Sequence, residues 1–315
     1  MASQRATSGI YFLANDIVKE WFIACSESIR AHGCTLPICI IPFDEKIFEI
    51  QKLAPKYGAE IWQDSKLAEL DGIGTQFFPG SYGRIRMFRK LACFWGPFEY
   101  FMYSDLDLIA LMNWDEILLA FPDSNLDFVY FGKSSGNVFL TAYSNDILYK
   151  ESHQFNSGAF VSSRGLFSLK EFHSFANSVA PRATELFCRS ADQPFLNYCI
   201  DHSDVSVGSI SELIPNVYDW NWARSSYLGR NDIYKVADRT GSFNGRRFPF
   251  IHWAGFKQHS SMPNYELFLK YRLRNSSVGE RLRYEWAFRI RLVFENIKKL
   301  NTKFSRPSGS QKKSF

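Results

Sequence analysis

The sequence predicts an α/β protein with a mixed, mostly parallel sheet flanked by helices. Three observations carry this expectation. Apolar runs alternate with segments of helical period from Ser8 to Trp62, the pattern of parallel strands joined by helical crossovers. Three later apolar runs, 100–104, 128–131 and 159–162, supply further strands. The runs ending at Ala14 and Ser104 lead directly into Asn or Asp, and open parallel sheets bind ligands beyond the carboxyl ends of their strands.

Residues 8–14 read as the first strand, and 17–31, with apolar residues three and four apart, as the helix after it. The second strand is expected over 36–42, a helix over 45–57 and a short third strand over 59–62. Residues 72–83 are rich in Gly, Phe, Pro and Ser and read as a loop. A helix over 84–94 then feeds the apolar run 100–104. Helices are expected over 113–119, 166–179 and 192–201, and a turn over 132–136. Between 203 and 245 the signals mix and predict no element. Residues 278–304 predict a basic amphipathic helix, and the low-complexity stretch 305–314 a disordered end.

A chain of 315 residues with 46% hydrophobic and 22% charged residues can bury a substantial core. Its 30 Phe suggest an aromatic-rich interior or cleft. The six cysteines are scattered through apolar surroundings without zinc-site spacing and read as buried free thiols. No stretch approaches the roughly 18 apolar residues of a membrane span, which predicts a soluble, cytoplasmic protein. The net charge of +5 is uneven: residues 271–315 hold twelve Lys or Arg against three Glu, so residues 1–270 are net acidic. The expected organisation is therefore one domain over 1–270 and a basic tail over 271–315. Nucleic-acid binding would place the basic residues on the folded body beside stacking aromatics, so it is not expected.

The sharpest chemical signal is Asp105-Leu106-Asp107 at the end of the apolar run 100–104. Residues two apart in a strand face the same way, so the two carboxylates can share one cation while Leu106 turns inward. Carboxylate and water oxygens suit Mg²⁺ or Mn²⁺, which keep positions open for substrate phosphates.

Several weaker motifs follow in order, and together they resemble the glycosyltransferases of the GT-A fold, most closely the retaining family-eight type that uses UDP-sugars. The likeness spans about residues 9–265. Ala14-Asn15-Asp16 is similar to the family's nucleotide-binding entry, and Ser81-Tyr82-Gly83-Arg84 to its Tyr-x-Arg segment, whose arginine reaches the donor. Asp105-Leu106-Asp107 matches its strand-end metal motif, and His252 in Phe250–Lys257 the third metal ligand. Phe155-Asn156-Ser157-Gly158-Ala159 resembles the segment whose Asn faces the sugar, and Asp192-Gln193-Pro194-Phe195-Leu196-Asn197 the helix whose first polar residues hold it. The resemblance implies diphosphate contacts from Gly255 and Lys257. Two positions depart from the pattern: Pro194 replaces a frequent second aspartate, and Lys257 follows Gly255 by two residues instead of three. The implied cofactor is Mn²⁺ or Mg²⁺, and the implied partners are a UDP-sugar and a saccharide or lipid-linked acceptor.

Each motif has a plainer reading. Asn156-Ser157-Gly158 could be only a turn, His252 a satisfied core histidine, Asp192 a helix N-cap before Pro194, and Arg84 a solvated helix residue. On the acceptor side, 72–83 and 217–230 are the candidate segments, with Trp220, Trp222 and Tyr227 as a stacking platform or as core filler. In the tail, Leu282, Trp286, Ile290, Val293, Phe294 and Ile297 recur at helical spacing among Arg and Lys. That helix fits an anionic membrane surface or a docked terminal helix. The alternatives to an active transferase are an inactive sugar-binding or membrane-associated scaffold of the same fold and a nucleotidyltransferase. The latter would want a glycine-rich phosphate loop after the first strand, where this chain has Leu13-Ala14-Asn15-Asp16.

Overall fold

The computed structural model describes residues 7–304 apart from 135–136, 141–152, 189–191, 224–232, 257 and 259–261. Two units are present, Met1–Arg272 and Leu273–Phe315. In the first, the strands are β1 (Ser8–Ala14), β2 (Ile38–Pro42), β3 (Ala59–Ile61), β4 (Tyr100–Ser104), β5 (Leu108–Ala110), β6 (Phe128–Tyr130), β7 (Ala159–Ser163), β8 (Val207–Ser209) and β9 (Phe250–His252). Seven of them form one sheet in the order β3-β2-β1-β4-β7-β6-β8, and β5 pairs with β9 in a separate two-stranded ribbon. β1 runs parallel to β2 and β4, β2 to β3, and β6 to β8. β7 alone in this sheet runs antiparallel to its neighbours β4 and β6. The sheet is thus mixed and mostly parallel, as the alternation of periods predicts.

β1 and β4 are buried almost end to end, because helices cover both sheet faces and an unbroken apolar run is the sequence form of such a strand. The interior is aromatic. Phe160 of β7 lies against Phe94, Phe101, Tyr103 and Phe128. All six cysteines are free, and Cys188 alone is not fully buried. Burial pushes the Cys39 thiol up to about 12, so this thiol is inert at neutral pH.

Two expectations are corrected. Residues 72–83 are not a loop: a helix spans Leu67–Phe77 and a second starts at Tyr82. Of the glycines that suggested a loop, Gly74 serves packing instead. Gly74 faces the second helix so closely that a Cβ there would lie 2.7 Å from the carbonyl oxygen and 2.9 Å from the Cα of Ile85. The helix expected over 84–94 is α-helical only to Met87 and continues as a 3-10 helix over Phe88–Trp95. The unassigned stretch 203–245 contains β8 and helices Ile210–Leu213 and Ile233–Thr240. The expected disordered end lies outside the described residues.

The second unit contains a helix over Val278–Phe304. Its Val278, Leu282, Trp286, Ile290 and Val293 are exposed, Trp286 to 67%. Exposed Arg281, Arg283 and Arg289 lie among them.

Gly74→Ala gains up to about 1 kcal/mol of helix propensity but must push a backbone away, and overpacking of this kind costs about 1–3 kcal/mol. A net loss of stability is expected, read as a lower denaturant midpoint at unchanged slope. Equal or greater stability would mean that the two helices separate freely.

Candidate functional site

The carboxyl ends of β1 and β4 open on one cleft of about 340 Å³, walled by Ala14, Asn15, Phe43, Met87, Asp105 and Asp107 among others. Its volume is in the range of small-ligand sites. Asp105 leaves the end of β4, where its N–H donates to the Gly158 carbonyl at 2.6 Å. Leu106 turns into the core. Asp107 precedes β5, and the pairing of Leu108 with His252 sets β9 beside it. The Trp253 N–H closes the corner by donating to the Asp107 carbonyl at 2.9 Å. One oxygen from each of Asp105 and Asp107 and a ring nitrogen of His252 lie within 4.8 Å of one another.

Four features of this cluster fit a divalent cation. The donor set of two carboxylates and an imidazole suits Mg²⁺ or Mn²⁺ with places left for phosphate and water. His252 is 3% exposed, yet its Nε2 has no hydrogen-bond partner among the described residues, while standing 3.2 Å from Asp107 Oδ1. A satisfied core histidine would have one, because an unpaired buried polar atom costs about 1–3 kcal/mol. Gly158 is the floor of the cradle: a Cβ on it would meet His252 Cε1 at 2.7 Å, Asn156 Oδ1 at 2.8 Å and Asp105 Oδ2 at 2.9 Å. Burial pushes the Asp105 carboxyl above its ordinary value and the Asp107 charge adds to that, against Lys90 and His252. Such a carboxyl is short of positive charge.

Beside the acidic cluster lies an amide network. The Asn156 Nδ2 donates to Gln193 Oε1 at 2.9 Å, and the Ser157 N–H donates to the same oxygen at 3.2 Å. Gln193 Nε2 faces Ser134 Oγ at 3.3 Å and the Asn137 carbonyl at 3.4 Å. Asn156 Oδ1 accepts from the Gly158 N–H at 2.9 Å, so the expected turn exists and it shapes the cradle. Asp192 is at the N-cap position of the helix Gln193–Asp201 but its side chain does not cap. Its Oδ2 accepts from Ser157 Oγ at 2.8 Å and from Lys90 Nζ at 2.9 Å. Pro194 occupies the first helical turn, where its missing N–H costs nothing.

Lys90 is a member of this cluster that sequence reasoning does not mark. It is 2% exposed, 2.9 Å from Asp192 and 3.5 Å from Asp105 Oδ1, with its Nζ 4.9 Å from the centre of the Tyr103 ring. Burial alone would lower its pKa, but the Asp105 and Asp192 charges outweigh it and hold the ammonium above the ordinary lysine value. Tyr103 Oη donates to Asp105 Oδ1 at 2.8 Å.

Other marked residues stand apart. Arg84 is exposed and lies over the Phe78 ring at 5.3 Å, the solvated position of its plainer reading. Asn15 lines the cleft, but its side chain is committed to Asp44 at 2.9 Å and to the Ile17 N–H at 3.2 Å. Asp16 accepts from the Ile50 N–H at 3.0 Å and so caps the next helix. Trp222 stacks on His252 at 5.3 Å between centroids. Gly255 takes a left-handed φ of +73° in the turn after β9. Lys257 and Tyr227 lie outside the described residues.

Gly158→Ala is expected to weaken Mn²⁺ binding by about tenfold or more, a loss of 1.4 kcal/mol for each factor of ten. Calorimetric titration of nucleotide-free protein reads this directly. Unchanged affinity would detach the cradle from the cluster.

No family model and no curated protein matches the chain in sequence. Solved structures do match in shape. The bifunctional glycosyltransferase WbbM superposes over 90% of this chain with a TM-score of 0.57 at 14% identity, the match spanning 52% of that chain. The galactosyltransferase LgtC, solved with donor and acceptor sugar analogues, superposes over 87% of this chain and 99% of its own, at 0.58 and 16% identity. Mouse xyloside xylosyltransferase 1 gives 0.52 and 11% identity over 79% of this chain and 98% of its own. The chain has the GT-A fold that these glycosyltransferases share.

Proposed function

We propose that the protein is a divalent-metal-dependent glycosyltransferase moving a sugar from a UDP-sugar to a saccharide or lipid-linked acceptor, with retention at the transferred carbon. The observation that carries the reading is the Asp105, Asp107 and His252 cluster, with its buried imidazole nitrogen lacking a hydrogen bond, at the mouth of a cleft formed by the strand ends. The GT-A fold and the matches to WbbM and LgtC support the reaction class. The motif order from Ala14 to Gly255 supports UDP and retention.

A divalent ion held by Asp105, Asp107 and His252 would neutralise the charge that appears on a departing diphosphate. The rest of the work falls to the chain. Asn156 and the main chain of 156–158 border the cluster on the sugar side, fixed by Gln193. Because Gln193 Oε1 already accepts from Asn156 and Ser157, this side chain is a brace for the loop and not a nucleophile. Asn15 and Ala14 border the nucleoside side, where the bound Asp44 and Lys46 turn holds them still. The left-handed Gly255 turns the chain after β9 back toward the cleft, where Phe256 forms part of the wall.

The exposed stripe from Val278 to Val293, flanked by Arg281, Arg283 and Arg289, supports peripheral contact with an anionic membrane. That would place the enzyme on an inner membrane face beside a lipid-linked acceptor. Among the described residues no helix is long and apolar enough to cross a membrane.

Ligands that bind only the native state raise its melting temperature by mass action. A Mn²⁺-dependent rise with UDP or a UDP-sugar, absent in Asp107→Ala, is the expected result of a thermal-shift screen across nucleoside diphosphates and their sugars. A response to another nucleotide would move the donor assignment, and no response to any would remove the transferase reading. Deleting residues 278–315 is expected to abolish sedimentation with phosphatidylserine liposomes, and retained sedimentation would remove the membrane contact.

A further inference from the structure

The described cluster contains more acid than a metal site with two carboxylates requires. Asp192 adds a third carboxylate, tied to Asp105 through Lys90, which lies 2.9 Å from one and 3.5 Å from the other. The charged groups acting on Asp105 are Lys90, Asp107, His252 and Asp192, and no other lysine or arginine among the described residues forms an ion pair with Asp105, Asp107 or Asp192. With His252 neutral, as a ligand must be, three carboxylates and one ammonium sum to two negative charges. That is the charge one divalent cation cancels.

We infer that Lys90 is a positioning residue that sets the charge of this site: it holds Asp192 and Asp105 together and trims the acidic cluster to the charge of one divalent ion, so that the loaded site is neutral when a diphosphate arrives. This rests on the metal-dependent reading above. The geometry supports it independently of any pKa. Lys90 is buried in the 3-10 segment Phe88–Trp95 between Phe88 and Leu91, and its Nζ also faces the Ser157 carbonyl at 3.4 Å. Its ammonium is therefore fixed by three oxygen acceptors from the end of β4, from the sugar-side loop and from the helix Gln193–Asp201. A buried cation held in this way acts as a fixed charge at high effective strength, and is not free to swing onto a ligand in the cleft.

A purely structural role and a charge-setting role make opposite predictions for metal. If Lys90 only braces the fold, its loss loosens the cluster and weakens metal binding. If it sets the charge, Lys90→Met leaves three carboxylates around the ion site with no cation among them, and Mn²⁺ affinity without nucleotide should rise by about tenfold or more, since a unit charge a few ångströms from an ion is worth at least that at protein dielectric. The same variant should bind UDP more weakly in the presence of saturating Mn²⁺, because the loaded site keeps a negative charge.

Buried charge left unpaired can prevent folding, so the second variant is Lys90→Met with Asp192→Asn, which removes both partners and restores two negative charges. Its Mn²⁺ affinity should return to within about threefold of wild type, less than 1.4 kcal/mol or a factor of ten. Lys90→Arg should also stay near wild type. The measurement is Mn²⁺ titration by electron paramagnetic resonance on the full chain without nucleotide, with circular dichroism as the folding control. Weaker binding in both Met variants would overturn the charge role while leaving the metal site standing. Wild-type protein that binds no Mn²⁺, matching Asp107→Ala, would overturn the metal reading and this inference together.

Discussion

Asp107 and His252 are far apart in sequence, and the pairing of β5 with β9 makes them neighbours. The ribbon is only three residues long on each side, yet it is tied at several points. The His252 N–H donates to the Asn221 carbonyl, the Ala223 N–H donates to the His252 carbonyl, and the Leu111 N–H reaches Pro249. Backbone bonds of this kind leave the imidazole nothing to do in holding β9 in place. Its Nε2 can therefore stand without a hydrogen bond, 3.2 Å from Asp107 Oδ1, an arrangement that a histidine serving packing alone would not need.

Concentrating Asp105, Asp107 and Asp192 at one strand end works against folding, since each carboxylate loses water and faces like charge. Three local features offset it. Lys90 supplies a cation, Tyr103 and Ser157 supply hydroxyl donors, and Gly158 lacks the side chain that would collide with those of Asp105, Asn156 and His252. None of these is a metal ligand in the proposed site. They are conditions for the ligands to stand where they do.

The strand and helix order was legible because each buried strand of the parallel half is an apolar run and each covering helix repeats at three and four residues. The acidic motif was legible because two aspartates ending a buried strand are rare without a use. What escaped was set by tertiary context. Gly72, Gly74 and Gly80 read as a loop, but Gly74 is a point of close helix contact, which local propensity cannot distinguish. β5, β8 and β9 have three residues each, as do β3 and β6, and so short a strand carries no period of its own. Arg89 and Lys90 fall within the run 84–94, which reads as one helix, and nothing in the sequence singles out either. The change to a 3-10 helix at Phe88 alters which side of the segment each occupies, and Arg89 then clamps Asp71 while Lys90 enters the acidic cluster. Arg84, marked through motif spacing, stays at the surface over Phe78.

The helix Gln193–Asp201 organises the loop 156–158 beside the acidic cluster from its first turns. Asp192 and Gln193 reach the loop 156–158, and Asn197, one turn on from Gln193 and so on the same face, clamps both backbone groups of Phe155. The Asn197 amide also donates back to the Gln193 carbonyl, so the three side chains form one connected unit with the loop. Such saturation explains why Asp192 forgoes the ordinary capping bond. Its carboxylate gains more from a buried ammonium and a hydroxyl than from a backbone N–H, because charge-assisted bonds are roughly twice as strong as neutral ones. The same saturation means that the polar groups of this loop are already held in place by the protein itself, and in the proposed transferase such preset dipoles would cost no reorganisation. The loop, the helix and the lysine between them are thus tied together by Asp192, Gln193 and Asn197.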